Sequence, residues 1–91
     1  MPEANDSFVI KNKLGMHARA AAVFVQLSTS FASEISVGKE DLVVNGKSIM
    51  SVLQLAAVQG DVIMVSARGD DSAQALRAIG ELIGNLFGEG E

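Results

Sequence analysis

The sequence predicts an α+β domain in which four strands form one antiparallel sheet and three helices cover one face of it. Stretches in which apolar and polar residues alternate are interleaved with stretches of helical spacing, in the order β-α-β-β-α-β-α. Apolar residues make up 48% of the 91 positions, which is enough for one core. No repeat, linker or low-complexity segment divides the chain. We therefore expect one open-faced two-layer sandwich over residues 1–91, with frayed ends at 1–6 and 88–91.

The first strand and the first helix are predicted from two different periodicities. Residues 7–11 alternate, with Phe8 and Ile10 facing the core, as expected for a half-buried strand. Residues 18–27 favour a helix, because small and apolar residues recur there every three or four positions. The residues expected on its buried face, two of them just beyond its end, are Ala20, Ala21, Phe24, Leu27, Ser28 and Phe31.

A hairpin and a short helix are predicted next. Residues 33–39 and 42–44 are two short apolar-rich runs that flank a glycine-containing turn, as in a hairpin. Ser48 then stands where it can cap a helix that runs to about Ala56, because a serine side chain accepts a hydrogen bond from an amide of the first turn.

The last strand and the last helix complete the pattern. Alternation over residues 62–67 places three side chains on the inner face of a strand: Ile63, Val65 and Ala67. Asp71 followed three residues later by Gln74 resembles a capping box, which predicts the start of the last helix. Gly80 and Gly84 each weaken this helix by about 1 kcal/mol relative to alanine, so we expect both to allow close packing against the sheet.

Composition excludes several classes of function. The net charge of −4 and the absence of Trp and Tyr argue against a basic groove or a stacking platform for nucleic acid. The chain has no cysteine and one histidine, which excludes thiolate metal sites and histidine clusters, and neither a metal nor a cofactor is expected. No apolar run approaches the ~20 residues of a membrane-spanning helix. We therefore expect no membrane insertion and a cytoplasmic location.

The one histidine lies at the predicted start of the first helix. His17 closely follows Gly15, and Arg19 stands two positions further on. A helix N-terminus presents unpaired N–H groups and the positive end of the helix dipole, which attract anions. No Ser, Thr, Asp or Asn lies between Leu14 and Ala22 to cap these amides, so we expect them to be free for a ligand. The pattern suggests phosphate chemistry on His17, whereas a lone histidine in a small domain is more commonly a surface or packed residue.

Two segments carry a resemblance to a known family. The segment at 15–21, GMHARAA, resembles the active-site segment of the HPr family, the histidine-containing phosphocarriers of the bacterial sugar phosphotransferase system. The segment at 46–52, GKSIMSV, resembles the regulatory serine segment of that family. The spacing, chain length and element order also match, so the resemblance spans nearly the whole chain, and it implies the strand order 1-4-2-3. The family commonly has proline where this chain has Ala20.

The resemblance implies a mechanism for the first segment. His17 would accept a phosphoryl group from a phosphohistidine of its donor, with Nδ1 as the attacking atom. Arg19 and the backbone N–H groups of Ala18 and Arg19 would stabilise the phosphoryl oxygens. Phosphoryl transfer depends mainly on positioning and electrostatics, so no general base is needed. The alternative interpretation of Arg19 is an ordinary solvated charge on a helix.

The second segment has a structural and a regulatory interpretation. In the structural interpretation, Ser48 caps a helix. In the regulatory interpretation, Ser48 is phosphorylated, which would add about −1.5 to −2 charge at a helix N-terminus. Four apolar residues are predicted to form an exposed surface near the histidine that docks partner proteins: Met16, Ile49, Met50 and Leu53. The alternative places most of these residues in the core.

The expected function is phosphoryl carriage without independent turnover. The chain, expected to be a monomer, would accept the group from enzyme I and pass it to a sugar-permease IIA domain or a regulatory acceptor, and an HPr kinase/phosphorylase would modify Ser48. From a different class, a small-molecule-binding regulatory domain of ferredoxin-like type shares the β-α-β-β-α-β order and would keep its ligand response after His17→Ala. A hydrolase of acyl phosphates is a third candidate, but the sequence shows no second catalytic group beside His17.

Overall fold

The computed structural model describes residues 1–90, which form four strands, three α-helices and one 3₁₀ helix. The strands are β1 (Glu3–Val9), β2 (Glu34–Lys39), β3 (Leu42–Asn45) and β4 (Val62–Arg68). The helices are α1 (Ala18–Thr29), α2 (Ile49–Gln54) and α3 (Ser72–Gly84), and the 3₁₀ helix follows at Leu86–Gly88. None of the helices within residues 1–90 has the length and apolar character that crossing a membrane requires.

The four strands form one antiparallel sheet in the order β1-β4-β2-β3. β4 pairs with β1 along its full length, from Glu3↔Arg68 to Val9↔Val62, and with β2 on its other side. β3 continues the hairpin and forms the second edge of the sheet. The predicted fold class and the strand order implied by the family resemblance are both confirmed.

The core lies between one face of the sheet and the helices. The alternation of β4 is reproduced in its burial, because Ile63 and Val65 are fully buried while Met64 between them is 58% exposed. Across the core, α1 presents Phe24 and the small side chains beside it. The predicted inner faces of β4 and α1 are confirmed, and their buried apolar side chains belong to one cluster together with those of β2.

The first strand begins earlier than the alternation predicts. β1 starts at Glu3 and its first four residues pair with β4, so residues 3–6 belong to the sheet and the prediction of a frayed lead over 1–6 is wrong there. The physical reason is that the outer face of the sheet is not covered by helices. Polar side chains such as Asn5 can therefore face water while the backbone groups of the strand are bonded to β4.

The start of α3 is not closed by a capping box. Asp71 occupies the N-cap position, but its side chain makes no hydrogen bond to the first turn. Its carboxylate instead accepts hydrogen bonds from the N–H groups of Ala32 and Ser33, at 2.8 and 2.9 Å, and from the Ser33 hydroxyl. These hydrogen bonds hold the pKa of Asp71 below its ordinary value. Asp71 therefore joins the loop after α1 to the start of α3.

The two glycines of α3 have different surroundings. A Cβ at Gly80 would lie 2.9 Å from Cε1 of Phe8, so the close packing against β1 that we expect is confirmed there. A Cβ at Gly84 would meet nothing within 4 Å, and the prediction is wrong at that position because this end of α3 is open.

Candidate functional site

The loop that precedes α1 is held by contacts that only glycine allows. Gly15 has a φ of +67°, and a Cβ there would lie 2.6 Å from the carbonyl oxygen of Ala57 and 2.8 Å from Cα of Val58. The next amide, that of Met16, donates to the same Ala57 carbonyl at 2.9 Å. These contacts fix the point at which the chain enters α1, and with it the position of His17.

His17 is the N-cap residue of α1. Its backbone is extended, with φ −80° and ψ −178°, and its Nδ1 accepts a hydrogen bond from the Arg19 N–H at 3.2 Å. The imidazole thus takes the place of the Ser, Thr, Asp or Asn side chain that usually caps a helix. The expectation that these amides are free is wrong for Arg19, because the histidine itself is the cap. For the N–H of Ala18, no acceptor is found among residues 1–90.

The hydrogen bond at Nδ1 determines which ring nitrogen carries the proton. A backbone N–H can only donate, so Nδ1 of His17 must offer its lone pair to the Arg19 amide. In the neutral ring the proton then lies on Nε2, which faces the Oε2 atom of Glu89. Nδ1 is therefore the nucleophilic nitrogen of this tautomer.

Glu89 belongs to the site, although the sequence analysis assigns it to a frayed tail. Its side chain is 11% exposed, Oε2 pairs with Nε2 of His17, and Oε1 accepts a hydrogen bond from Nδ2 of Asn12 at 2.9 Å. Burial raises the pKa of Glu89, but the hydrogen bonds from Asn12 and His17 and the charge of Arg19 together hold it below its ordinary value. The carboxylate is therefore ionised at neutral pH, and the prediction of fraying is wrong at Glu89.

Phe87 anchors the tail that carries this carboxylate. It is 4% exposed and belongs to the core, four positions beyond the buried Ile83. Its φ of +54° turns the chain out of the helical direction. A large apolar residue at helical spacing after Ile83 is the one sequence signal that could have predicted an ordered tail. Within the predicted frayed end, Gly88 belongs to the 3₁₀ helix, and residue 91 lies outside the described residues.

Asn12 connects the loop before α1 to the tail. It is fully buried, and its Nδ2 donates to the Gly15 carbonyl at 2.7 Å as well as to Glu89. Its Oδ1 has no hydrogen-bond partner among residues 1–90. The sequence does not indicate this role, because nothing local distinguishes a buried asparagine from a turn asparagine.

Arg19 lies on the exposed side of the same site. It lines a shallow cleft together with Lys13, Leu14 and Glu89. Within residues 1–90 its guanidinium forms no ion pair closer than 4.0 Å. No group of three His, Asp or Glu side chains in the same described range is arranged to hold a metal ion. The cleft thus combines two cations, Lys13 and Arg19, with the carboxylate that contacts His17.

Ser48 is the N-cap of α2, as predicted. Its backbone is extended and its Oγ accepts a hydrogen bond from the Ser51 N–H at 3.3 Å. The neighbouring Lys47 donates from Nζ to the Phe31 carbonyl at 2.7 Å, which ties the start of α2 to the loop after α1. The hydroxyl of Ser48 therefore has a structural role in the unmodified chain.

The predicted apolar surface is only partly exposed. Ile49 and Met50 are 41% and 74% exposed, whereas Leu53 is half-buried against the core. Met16 is 4% exposed, so the prediction of exposure is wrong for Met16, whose backbone is tied to the 57–58 segment and whose side chain enters the core. Two further exposed apolar residues, which the sequence does not single out, lie in or against the loop that leads to α1: Leu14 and Val58.

Comparison with known proteins identifies a family. Residues 4–85 match the family model described as PTS HPr component phosphorylation site. The phosphocarrier protein HPr of Neisseria meningitidis serogroup A is 52% identical over 85 residues, which cover 93% of this chain and 96% of that protein. The crystal structure of HPr-C-His from Thermoanaerobacter tengcongensis superposes with a TM-score of 0.89 at 47% identity and covers 98% of both chains.

A longer relative contains the same unit. The multiphosphoryl transfer protein of Salmonella typhimurium is 40% identical over 86 residues, which make up 91% of this chain but only 23% of that protein. The family model and the end-to-end similarity to shorter relatives agree with the fold. The chain therefore belongs to the HPr family, the phosphocarrier proteins of the phosphotransferase system.

Proposed function

We propose that His17 is the residue on which this phosphocarrier takes up a phosphoryl group, and that Nδ1 is the attacking atom. The observation that carries the proposal is the hydrogen bond from the Arg19 N–H to Nδ1, because it leaves the lone pair on that nitrogen. As the Nδ1–P bond forms, the P–N bond of the donor phosphohistidine breaks and its electron pair returns to the donor ring. The proton on Nε2 stays in place.

Arg19 and two amides stabilise the transferred group. Once Nδ1 is bonded to phosphorus, the Arg19 N–H loses its acceptor and donates to a phosphoryl oxygen instead. The N–H of Ala18 and the guanidinium of Arg19 supply further donors, and charge-assisted hydrogen bonds of this kind are the strong ones. We propose that the chain holds the group and passes it on without turnover of its own.

Membership of the family supports a proposal about the partners. We propose that phospho-enzyme I, charged by phosphoenolpyruvate, is the donor in the cytoplasm, and that a sugar-permease IIA domain or a regulatory protein is the acceptor. The exposed pair Ile49 and Met50, with half-buried Leu53, supplies an apolar docking surface. Exposed apolar side chains grouped near a reactive residue are typical of protein interaction sites.

Ser48 is proposed as a regulatory site for an HPr kinase/phosphorylase. Phosphorylation would replace a neutral cap by about −1.5 to −2 charge at the start of α2 without a change of fold. The new charge would lie beside Ile49 and Met50 and would oppose the docking of acidic partners. Adding enzyme I to a ¹⁵N-labelled chain tests the surface, because unchanged amide shifts at Ile49, Met50 and Leu53 would exclude it.

Incubation with phosphoenolpyruvate and enzyme I tests the function itself. We expect an acid-labile, base-stable phosphate on the wild-type chain and none on His17→Ala. Arg19→Ala should accept phosphate about tenfold to a hundredfold more slowly, because it removes a charged donor from the transferred group. Arg77→Ala, which removes an exposed arginine of α3, is the matched control. Equal labelling of His17→Ala and the wild-type chain would contradict the proposal.

A further inference from the structure

The carboxylate of Glu89 meets the imidazole on the nitrogen that phosphoryl transfer leaves free. Nδ1 of His17 faces the Arg19 amide, and Nε2 faces Oε2 of Glu89. The two nitrogens lie on different edges of the ring, so a phosphoryl group on Nδ1 and the carboxylate at Nε2 can be accommodated together. The contact is therefore compatible with the phosphorylated state.

Phosphorylation changes the charge of the ring. When Nδ1 bonds to phosphorus and Nε2 keeps its proton, the imidazole becomes formally positive. A carboxylate that already accepts the Nε2–H then interacts with a cation instead of a neutral donor, so the contact becomes an ion pair and gains Coulombic attraction. Serine proteases use a buried aspartate in the same way to orient an imidazole and to stabilise its cation.

We propose that Glu89 is a positioning residue for phosphoryl transfer, which holds the Nε2 proton of His17 and stabilises the positive ring of the phosphorylated form, while Asn12 holds Glu89. The proposal rests on His17 being the phosphoryl acceptor. Glu89 touches neither the donor nor the phosphoryl group, and acts only through the ring.

The orientation of Asn12 supports this assignment. Both of its partners, the Gly15 carbonyl and the Glu89 carboxylate, are acceptors, so the NH₂ group must face them and Oδ1 must point away. Oδ1 is then buried without a partner, which carries an energetic cost. The chain thus retains an unsatisfied buried oxygen in the orientation that holds the carboxylate against the imidazole.

Hydrogen bonds and a nearby charge keep Glu89 ionised. The hydrogen bonds from Asn12 and His17 favour the carboxylate, and the charge of Arg19, which lines the same cleft, adds to their effect. The negative charge is therefore present over the neutral pH range in which the carrier would be phosphorylated.

Phosphoryl exchange at equilibrium measures the effect directly. The chain is mixed with enzyme I and known amounts of phosphoenolpyruvate and pyruvate, and the phosphorylated fraction is determined. We expect Glu89→Ala and Glu89→Gln to reduce the equilibrium constant for phosphoryl uptake about tenfold, because both lack the charge that stabilises the phosphorylated ring. Glu81→Gln, which neutralises an exposed glutamate of α3, should match the wild-type chain.

The Nε2 proton gives a second measurement that a purely structural role would not alter. In a chain with ¹⁵N-labelled histidine, we expect an Nε2–H signal that exchanges slowly with water. It should be lost in Glu89→Ala and retained in Glu81→Gln, while the amide spectrum of the core is the same in both variants.

The possible outcomes separate the two proposals. If the wild-type chain is phosphorylated on His17 and both Glu89 variants reach the wild-type equilibrium, the role of Glu89 is overturned and the carrier function stands. If the Nε2–H signal persists in Glu89→Ala, the contact with the carboxylate is overturned in the same way. If phosphate still appears on His17→Ala, the proposed function fails, and the role of Glu89 fails with it.

Discussion

At the residue scale, His17 serves both the helix and the proposed chemistry with the same atom. Nδ1 caps the first turn of α1 and is also the atom proposed to attack phosphorus. Phosphorylation would remove this cap, but a phosphoryl oxygen accepts from the Arg19 N–H in its place. The helix start thus exchanges one acceptor for another, and α1 need not change its length in the transfer.

Substitution of His17 separates the cap from the chemistry. His17→Ala should lower the free energy of unfolding by about 0.5–1 kcal/mol through loss of the cap, and His17→Asn should restore it, because asparagine is among the best N-cap residues. Urea unfolding at pH 7.5 measures both. Neither variant should accept phosphate. An alanine variant as stable as the asparagine variant would show that the imidazole is not a cap.

At the scale of the elements, the loop between α1 and β2 is attached to α3 by one carboxylate. Asp71 accepts hydrogen bonds from the amides of Ala32 and Ser33, and Ser33 is itself almost fully buried. Asp71 stands at the start of α3, but its side chain bonds to the loop between α1 and β2 and not to its own helix. The alignment of α3 with the beginning of β2 therefore depends on a charge.

The lowered pKa of Asp71 makes this attachment sensitive to acid. Because the folded-state pKa lies below the unfolded value of 3.8, the contribution to stability is present above pH 3.8 and is lost as the pH falls through the folded-state pKa. Asp71→Ala should therefore be less stable than the wild-type chain at pH 7, and the difference should shrink towards pH 2 in urea unfolding. Asp70→Ala, at an exposed neighbouring position, is the matched control, and an equal loss of stability in that variant would contradict the role of Asp71.

The sequence predicts the elements well and the contacts between their ends poorly. The strand β4 and the helix α1 are predicted correctly, because the spacing of apolar residues along each of them matches the spacing of its buried side chains. Asp71 is misassigned because the same three-residue spacing to Gln74 occurs whether the carboxylate bonds to its own helix or to another loop. Glu89 is missed because its partner His17 lies 72 positions away and no local pattern encodes that distance.

The family motif has the same limits within the candidate site. It identifies His17, Arg19 and Ser48 from short segments, and the structure places two of these residues at helix starts where the motif implies them. It does not predict the burial of Met16, because a residue just before a helix has no periodicity from which to infer its face. The role of Asn12 depends on its contacts with the loop before α1 and with the segment that carries Glu89, and neither segment has a periodic pattern from which these contacts could be predicted.

At the scale of the whole molecule, the core is on one side of the sheet only. The helices cover the face that carries Ile63 and Val65, while the opposite face presents Met64 and Val62 to solvent. We therefore expect neighbouring side chains of the central strand β4 to contribute very different amounts to the free energy of unfolding.

Two alanine substitutions in β4 test this one-sided core. Ile63→Ala should reduce the free energy of unfolding by about 2–5 kcal/mol, because it removes a fully buried side chain and leaves a cavity. Met64→Ala should cost less than about 1 kcal/mol, because its side chain is 58% exposed. Urea midpoints of the two variants compare them directly, and equal losses would show that the outer face is covered in solution.

The pairing of His17 with Glu89 has a consequence for how the candidate site is assembled. The histidine is synthesised early, whereas its carboxylate partner is added 72 residues later, after the last helix. Phe87, which anchors the segment that carries Glu89, is buried in the core. The contact at Nε2 can therefore form only after this segment has packed against the core.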